Sequence, residues 1–117
     1  MTKQQVFSPA ASAYIRFIDQ RRTIEATSLP LASNERDVLE VIAIRVLANT
    51  PLTITELMAM SEIASPATIH RKLTQLINLG YVVQAHVGNN RRTKYLHVTD
   101  AVHKHFAKVA MAMGFKN

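Results

Sequence analysis

Arg71 and Gln75 stand four residues apart, about one helical turn, so a helix through this segment places both side chains on one face. Arginine pairs bidentately with the guanine edge, and glutamine with the adenine edge, of a base pair in the major groove. Ala67 is small enough to let such a helix approach a groove closely. The hydroxyls of Ser65 and Thr68 suit phosphate or thymine-methyl contacts beside a helix N-terminus. His70, Lys72 and Thr74 accompany them. Further along, Gly88-Asn89-Asn90-Arg91-Arg92 reads as a turn, with Lys94 two residues beyond it. Two arginines at a turn tip repel unless solvated or paired with phosphate, and a narrow minor groove concentrates negative potential. No acidic residue occurs between Glu62 and Asp100, so these cations share one positive field. The same residues also read as a solvated helix face and as a turn whose charges discourage edge pairing.

Positioning these groups requires a helix and a hairpin. Ser65 caps and Pro66 opens the helix, and Gly80 closes it. Ile69, Leu73, Leu76 and Ile77 fall at i, i+4, i+7 and i+8, which defines the buried stripe opposite the polar face. Thr53 and Glu56 have the spacing of a capping box, predicting a short helix to about Met60 that buries Ile54, Leu57 and Met58. A short helix, the tight turn Ser61-Glu62-Ile63-Ala64 and a longer helix form the helix-turn-helix pattern. Tyr81-Val82-Val83 and Tyr95-Leu96-His97-Val98 read as strands paired around the turn at 88–92.

Upstream, Ser8 caps and Pro9 starts a first helix to about Ala26, striped by Ala11, Tyr14, Ile15 and Ile18. After the break at Ser28-Leu29-Pro30, Ser33 caps a second helix over about residues 34–48. Its run from Val38 to Leu47 is apolar on most sides and predicts the central core helix. Thr99 caps a last helix, striped by Val102, Phe106, Val109, Ala110 and Met113. The expected fold class is mainly α with a two-stranded β wing, a winged helix-turn-helix. Residues 31–99 would form the winged part, flanked by helical segments at 1–30 and 100–117.

Composition narrows the function classes. A chain of 117 residues with 48% hydrophobic and 19% charged residues can fold as one domain with a real core. Residues 1–62 carry six basic and seven acidic side chains, whereas 63–117 carry eight basic residues against Asp100 alone. Polyanion binding would therefore belong to the second half. The absence of Cys excludes disulfides and thiolate metal sites. His103 and His105 lie two apart on a helix, about 200° from one another, and His70, His86 and His97 lack Cys or carboxylate at ligand spacing. Neither a metal nor a cofactor is expected. His70 reads as a groove or phosphate contact, His86 and His97 as exposed strand residues, and Met58, Met60, Met111 and Met113 as packing residues. There is no Gly-rich phosphate loop or nucleophile elbow, and Asp37 with Glu40 reads as the solvated side of a core helix, so no enzymatic activity is expected. Met1-Thr2-Lys3-Gln4-Gln5 has no apolar leader character and no stretch is long enough to span a bilayer, predicting a cytoplasmic protein.

The order of these elements resembles the MarR family of winged-helix bacterial transcription regulators, over roughly residues 31–106. Leu31 to Leu39 resembles the family's Leu-Thr entry into its second helix, with Ala32 in place of Thr. Thr55-Glu56-Leu57, Ser65-Pro66-Ala67-Thr68-Ile69 through Leu76, and Leu79-Gly80-Tyr81-Val82 are similar to the helix preceding the recognition helix, to that helix, and to its exit. Asn90, Arg92, Val98 and Thr99 occupy the positions of the family's wing pattern, Asp-x-Arg, five residues, Leu-Thr-x-x-Gly. Asn90 replaces the Asp that orients the Arg, and Val102 replaces the Gly. The resemblance implies minor-groove insertion of Arg92. It also implies dimerisation through the first and last helices, with Tyr14, Phe17 and Ile18 meeting Phe106, Val109 and Met113. Family members carry one more C-terminal helix than follows the wing here, so the interface would be smaller. A small-molecule effector is part of the same expectation.

These readings predict a sequence-specific, double-stranded DNA-binding transcription regulator, acting as a dimer on the nucleoid and repressing by operator occlusion. Arg71 and Gln75 would read bases, and Arg91, Arg92 and Lys94 would grip the backbone or minor groove. The competing readings are a winged-helix protein-interaction module and a replication, phage or plasmid DNA-binding factor.

Overall fold

The computed structural model describes residues 5–116. Most of the leader stretch considered above, residues 1–4, and Asn117 lie outside the described residues. In chain order the elements are α1 (Pro9–Ser28), α2 (Ser33–Leu47), α3 (Ile54–Met58), α4 (Pro66–Asn78), β1 (Val82–Ala85), β2 (Tyr95–Val98) and α5 (Asp100–Ala112). This is a mainly helical chain with a two-stranded antiparallel sheet, the winged helix-turn-helix class. Among the described residues no helix is long and apolar enough to cross a membrane. The chain divides into two compact units, one spanning Leu31–Lys104 and the other joining the segment through Pro30 with the chain from His105 onward.

The core of the Leu31–Lys104 unit is aliphatic. Val38, Leu39 and Ile42 of α2, Leu57 of α3, Ile69, Leu73 and Leu76 of α4, Val82, Leu96 and Val102 are all buried. In α4 the i, i+4, i+7 spacing puts its three buried residues on one side, as amphipathic periodicity requires. Ile77, placed in the same stripe by spacing, is half-buried. α4 packs against α2, α3 and β1, and α2 against β2. β1 and β2 pair in the register Val82–Val98, Val83–His97, Gln84–Leu96 and Ala85–Tyr95. Leu96 N–H also donates to the Leu52 carbonyl at 2.7 Å, so the segment leading into α3 flanks β2 with a backbone bond of its own.

Several local expectations are corrected. Ser33 does not cap α2: Ala32 holds the N-cap position, and the Glu35 carboxylate accepts from the Ala32 N–H at 2.9 Å. The Glu35 carboxylate, three residues in, takes the Ala32 N–H while the Ala32 carbonyl accepts from the Arg36 N–H at 3.0 Å, which sets the cap one residue before Ser33. α2 is not apolar-buried all round, since Ile44 and Leu47 are 63% and 88% exposed. The helix has partners on one side, and its last apolar turn runs past them. There Arg45 Nε donates to both the carbonyl and the hydroxyl of Thr50 at 3.0 Å, clamping a turn in which Asn49 takes the left-handed conformation. α3 ends at Met58 and buries Leu57 alone; Ile54, Met58 and Met60 are half-buried. Met111 and Met113 are exposed and Met113 lies beyond the end of α5, so neither is a packing residue within the chain. α1 begins as expected, with Ser8 Oγ accepting the Ala11 N–H at 3.1 Å, but it extends to Ser28 and has no buried residue.

The capping box at α3 is present in full. Thr53 Oγ1 accepts from the Glu56 N–H at 3.2 Å, while Glu56 Oε1 accepts from the Thr53 N–H at 2.9 Å. The Thr53 backbone and then its hydroxyl, joined by the Arg45 charge, hold the Glu56 carboxyl below its ordinary value of 4.5. A lowered folded-state value means the stabilisation is complete above 4.5 and is lost as pH falls through the folded value. Glu56→Gln is therefore expected to be less stable than the parent near neutral pH, with the gap closing in acid; urea denaturation across that range measures it, and a pH-independent gap would contradict the carboxylate's role. The assigned face of α2 has its own test. Leu39→Ala should lower the unfolding free energy by about 2–5 kcal/mol and Leu47→Ala by less than about 0.5 kcal/mol, and equal losses would contradict it.

Candidate nucleic-acid interface

The polar face of α4 is outward because its apolar stripe is fully committed. With Ile69, Leu73 and Leu76 buried, His70, Arg71, Thr74 and Gln75 are exposed, as are Ser65 and Ala67 at the N-terminus, while Thr68 and Lys72 are half-buried. The two N-terminal hydroxyls are engaged with each other and with the helix end. Ser65 Oγ accepts the Thr68 N–H at 3.3 Å and donates to Thr68 Oγ1 at 3.0 Å. Thr74 Oγ1 donates to the His70 carbonyl at 2.9 Å, one turn back. Arg71 and Gln75 therefore stand as the long donors on this face, with Thr74 bonded inward.

α4 ends in a left-handed glycine cap. Gly80 has φ +81°, its N–H reaches the Ile77 carbonyl, and Tyr81 N–H reaches the Leu76 carbonyl, each at 3.0 Å. Thr99 then joins this end to the far end of the hairpin. Its N–H donates to the Tyr81 carbonyl at 3.1 Å and its hydroxyl to the Gly80 carbonyl at 2.7 Å. Thr99 holds the cap position directly before α5, its carbonyl accepting from the Val102 and His103 N–H groups at 3.0 and 3.1 Å, while its hydroxyl fastens the hairpin to the exit of α4. This non-local bond, across 19 residues, positions the candidate interface in a way that sequence spacing did not reveal.

Beyond the Ala85–Tyr95 pair the wing loop spans residues 86–94. Gly88 has φ +60° and Asn90 N–H donates to the Val87 carbonyl at 3.2 Å. Asn90 Oδ1 accepts from the N–H groups of Arg92 and Thr93, at 3.0 and 3.2 Å. Asn89, Asn90, Arg91, Arg92 and Lys94 are exposed. Among the described residues none of Arg71, Lys72, Arg91, Arg92 and Lys94 lies within ion-pair distance of a carboxylate, whereas on α1 Arg21 and Glu25 stand 3.9 Å apart. His86 and His97, expected as exposed strand residues, are both half-buried. His97 sits in β2 opposite Val83, and His86 lies outside β1 with Nδ1 3.0 Å from the Thr93 carbonyl.

The histidines of α5 separate as their spacing required, His103 exposed and His105 buried. Among the described residues no three His, Cys, Asp or Glu side chains converge where a metal ion would sit. In the terminal unit Tyr14 is 60% exposed with its ring 6.4 Å from Phe17; Phe17, Ile18, Phe106 and Val109 are half-buried and Met113 is 67% exposed.

No protein-family model matches the chain, and neither does any curated protein sequence. Solved structures do. The transcriptional regulator Tm0710 from Thermotoga maritima aligns over 90% of this chain and 69% of its own, with a TM-score of 0.62 and 15% identity. A mutant MarR from E. coli aligns over 95% and 79%, with a TM-score of 0.53 and 15% identity. The heme sensor PefR from Streptococcus agalactiae, solved in complex with heme, aligns over 93% and 76%, with a TM-score of 0.56 and 13% identity. The identities are low, so the likeness is one of fold, and it extends over nine-tenths or more of this chain. The chain has the winged-helix fold of the MarR-type regulators.

Proposed function

We propose that this chain is a regulator of transcription that binds double-stranded DNA. The observation that carries the reading is the exposed α4 face and the wing cations within one acid-free stretch, joined at their far ends by Thr99. α4 enters the major groove, with Arg71 pairing to guanine and Gln75 to adenine. Ala67 permits close approach. His70, Lys72 and the engaged Ser65 and Thr68 face the flanking phosphates through the helix N-terminus. Arg92 enters the adjacent minor groove, with Arg91, Lys94 and Asn89 along the backbone. Binding over a promoter then represses by occlusion.

The terminal unit supports a two-fold dimer. A 20-residue α1 with no buried residue, and exposed Phe7, Tyr14, Ile15, Met111, Met113 and Phe115, present more apolar surface than a solitary helix pair retains in water. A second copy covering Tyr14, Phe17, Ile18, Phe106, Val109 and Met113 would set the two α4 helices about one DNA turn apart on a pseudo-palindrome. PefR was solved with heme, and by analogy of fold a small molecule acting on the DNA affinity of this chain belongs to the same proposal. The site of action is the cytoplasm, on the nucleoid.

Salt titration of binding to genomic and arbitrary duplex tests the reading. Affinity should fall with a log–log slope of about −0.9 per phosphate neutralised. Arg71→Ala should cost about 1–3 kcal/mol and relax the preference at one base pair, whereas Arg92→Ala should weaken all sequences more evenly. Negligible affinity for both duplexes at low salt would refute DNA binding.

A further inference from the structure

Thr93 is a wing peptide gripped on both sides. Its N–H donates to Asn90 Oδ1, and its carbonyl lies 3.0 Å from His86 Nδ1. A carbonyl oxygen only accepts, so Nδ1 of His86 must carry the hydrogen and donate it. Asn90 Oδ1 takes a second bond from the Arg92 N–H, and the Asn90 N–H closes the turn onto Val87. Since the strand ladder stops at Ala85–Tyr95, these bonds order the loop that carries Arg91 and Arg92. Asn90 does not ionise, and the nearest acids in the sequence are Glu62 and Asp100.

We propose that Asn90 and His86 are positioning residues for duplex binding, forming a lock without a carboxylate that sets the backbone at Arg92 and leaves its guanidinium free of any acidic partner. The consequence for binding rests on the DNA-binding reading; the lock itself is a property of the free protein. Its two components, geometry and charge, separate by substitution. Asn90→Ala removes the acceptor, so the Arg92 and Thr93 N–H groups return to water and the loop must be ordered on binding at an entropic cost. Asn90→Asp keeps an oxygen where both N–H groups need one. It also introduces a negative charge beside Arg91 and Arg92 on the surface that meets phosphate. That charge attracts the guanidinium in the free protein and repels the duplex in the complex, and salt screens both effects. His86→Phe retains a flat ring and removes the donor to Thr93.

The test combines amide hydrogen exchange on the free protein with binding to a mixed-sequence duplex. Asn90→Ala should speed exchange at Arg92 and Thr93 by about tenfold, with the melting temperature unchanged, and weaken duplex binding several-fold. His86→Phe should weaken binding in the same direction. Asn90→Asp should keep the exchange protection yet bind more weakly at low salt, with the deficit shrinking as salt rises. In an Arg92→Ala background, Asn90→Ala should cost nothing further, the coupling expected of a residue acting through Arg92. Unchanged exchange at Arg92 and Thr93 in Asn90→Ala would overturn the lock. An undiminished affinity loss in the Arg92→Ala background would overturn its action through Arg92, and wild-type affinity of Asn90→Asp at low salt would overturn the role of neutrality. A wild-type protein that binds no duplex refutes the DNA-binding reading instead, and the exchange measurement still decides the lock.

Discussion

Burial of Ile69, Leu73 and Leu76 fixes the rotation of α4 about its own axis, and the remaining geometry of the candidate interface follows from that. Each fully buried aliphatic side chain contributes roughly 1.5–3 kcal/mol relative to exposure. Turning the helix by one residue, about 100°, would forfeit that stabilisation and bury His70 and Thr74, or Lys72 and Gln75, in its place. α2 supplies the opposing surface through Val38, Leu39 and Ile42 while also packing against β2, so one helix backs both the reading face and the wing. The polar face of α4 is thus defined by what the opposite side cannot give up.

The hairpin is attached to this frame by backbone and by hydroxyl. Leu96 bonds to Leu52 on one side, and Thr99 bonds to Gly80 and Tyr81 at the exit of α4 on the other. Gly80 is needed there for a conformational reason: φ +81° disfavours a side chain, and the cap turns the chain directly into β1. Helix end and wing end therefore share one junction. Within the wing, order comes from neutral acceptors, which leaves the cations of the tip to respond to an external anion.

Much of this was legible in the sequence because it is local. Ser65-Pro66 and Gly80 bracket α4, Thr53 and Glu56 announce α3, and the turn residues at 88–92 place the two strands. Such signals depend on partners three to five residues away. What escaped was non-local or competitive. The Thr99 hydroxyl finds an acceptor 19 residues back, which no spacing rule supplies, and so the residue that opens α5 also ties the hairpin to α4. Ala32 became the N-cap because the Glu35 carboxylate reaches back to the Ala32 N–H, the half of a capping box that needs no hydroxyl at the cap itself. Ile44 and Leu47 look like core by composition, yet α2 has partners on one side alone. His86 is half-buried because the loop folds back onto it through Thr93, a contact invisible from strand periodicity.

The most direct measurement is amide-resolved mapping of the protein during titration with a duplex carrying a selected binding sequence. An interface formed by α4 and the wing requires shifts to concentrate on the outer face of α4, at His70, Arg71, Thr74 and Gln75, and on the wing from Asn89 to Lys94, with the Ile44–Leu47 turn of α2 silent. Shifts centred on α2, or none in α4 and the wing under saturating duplex, would contradict it.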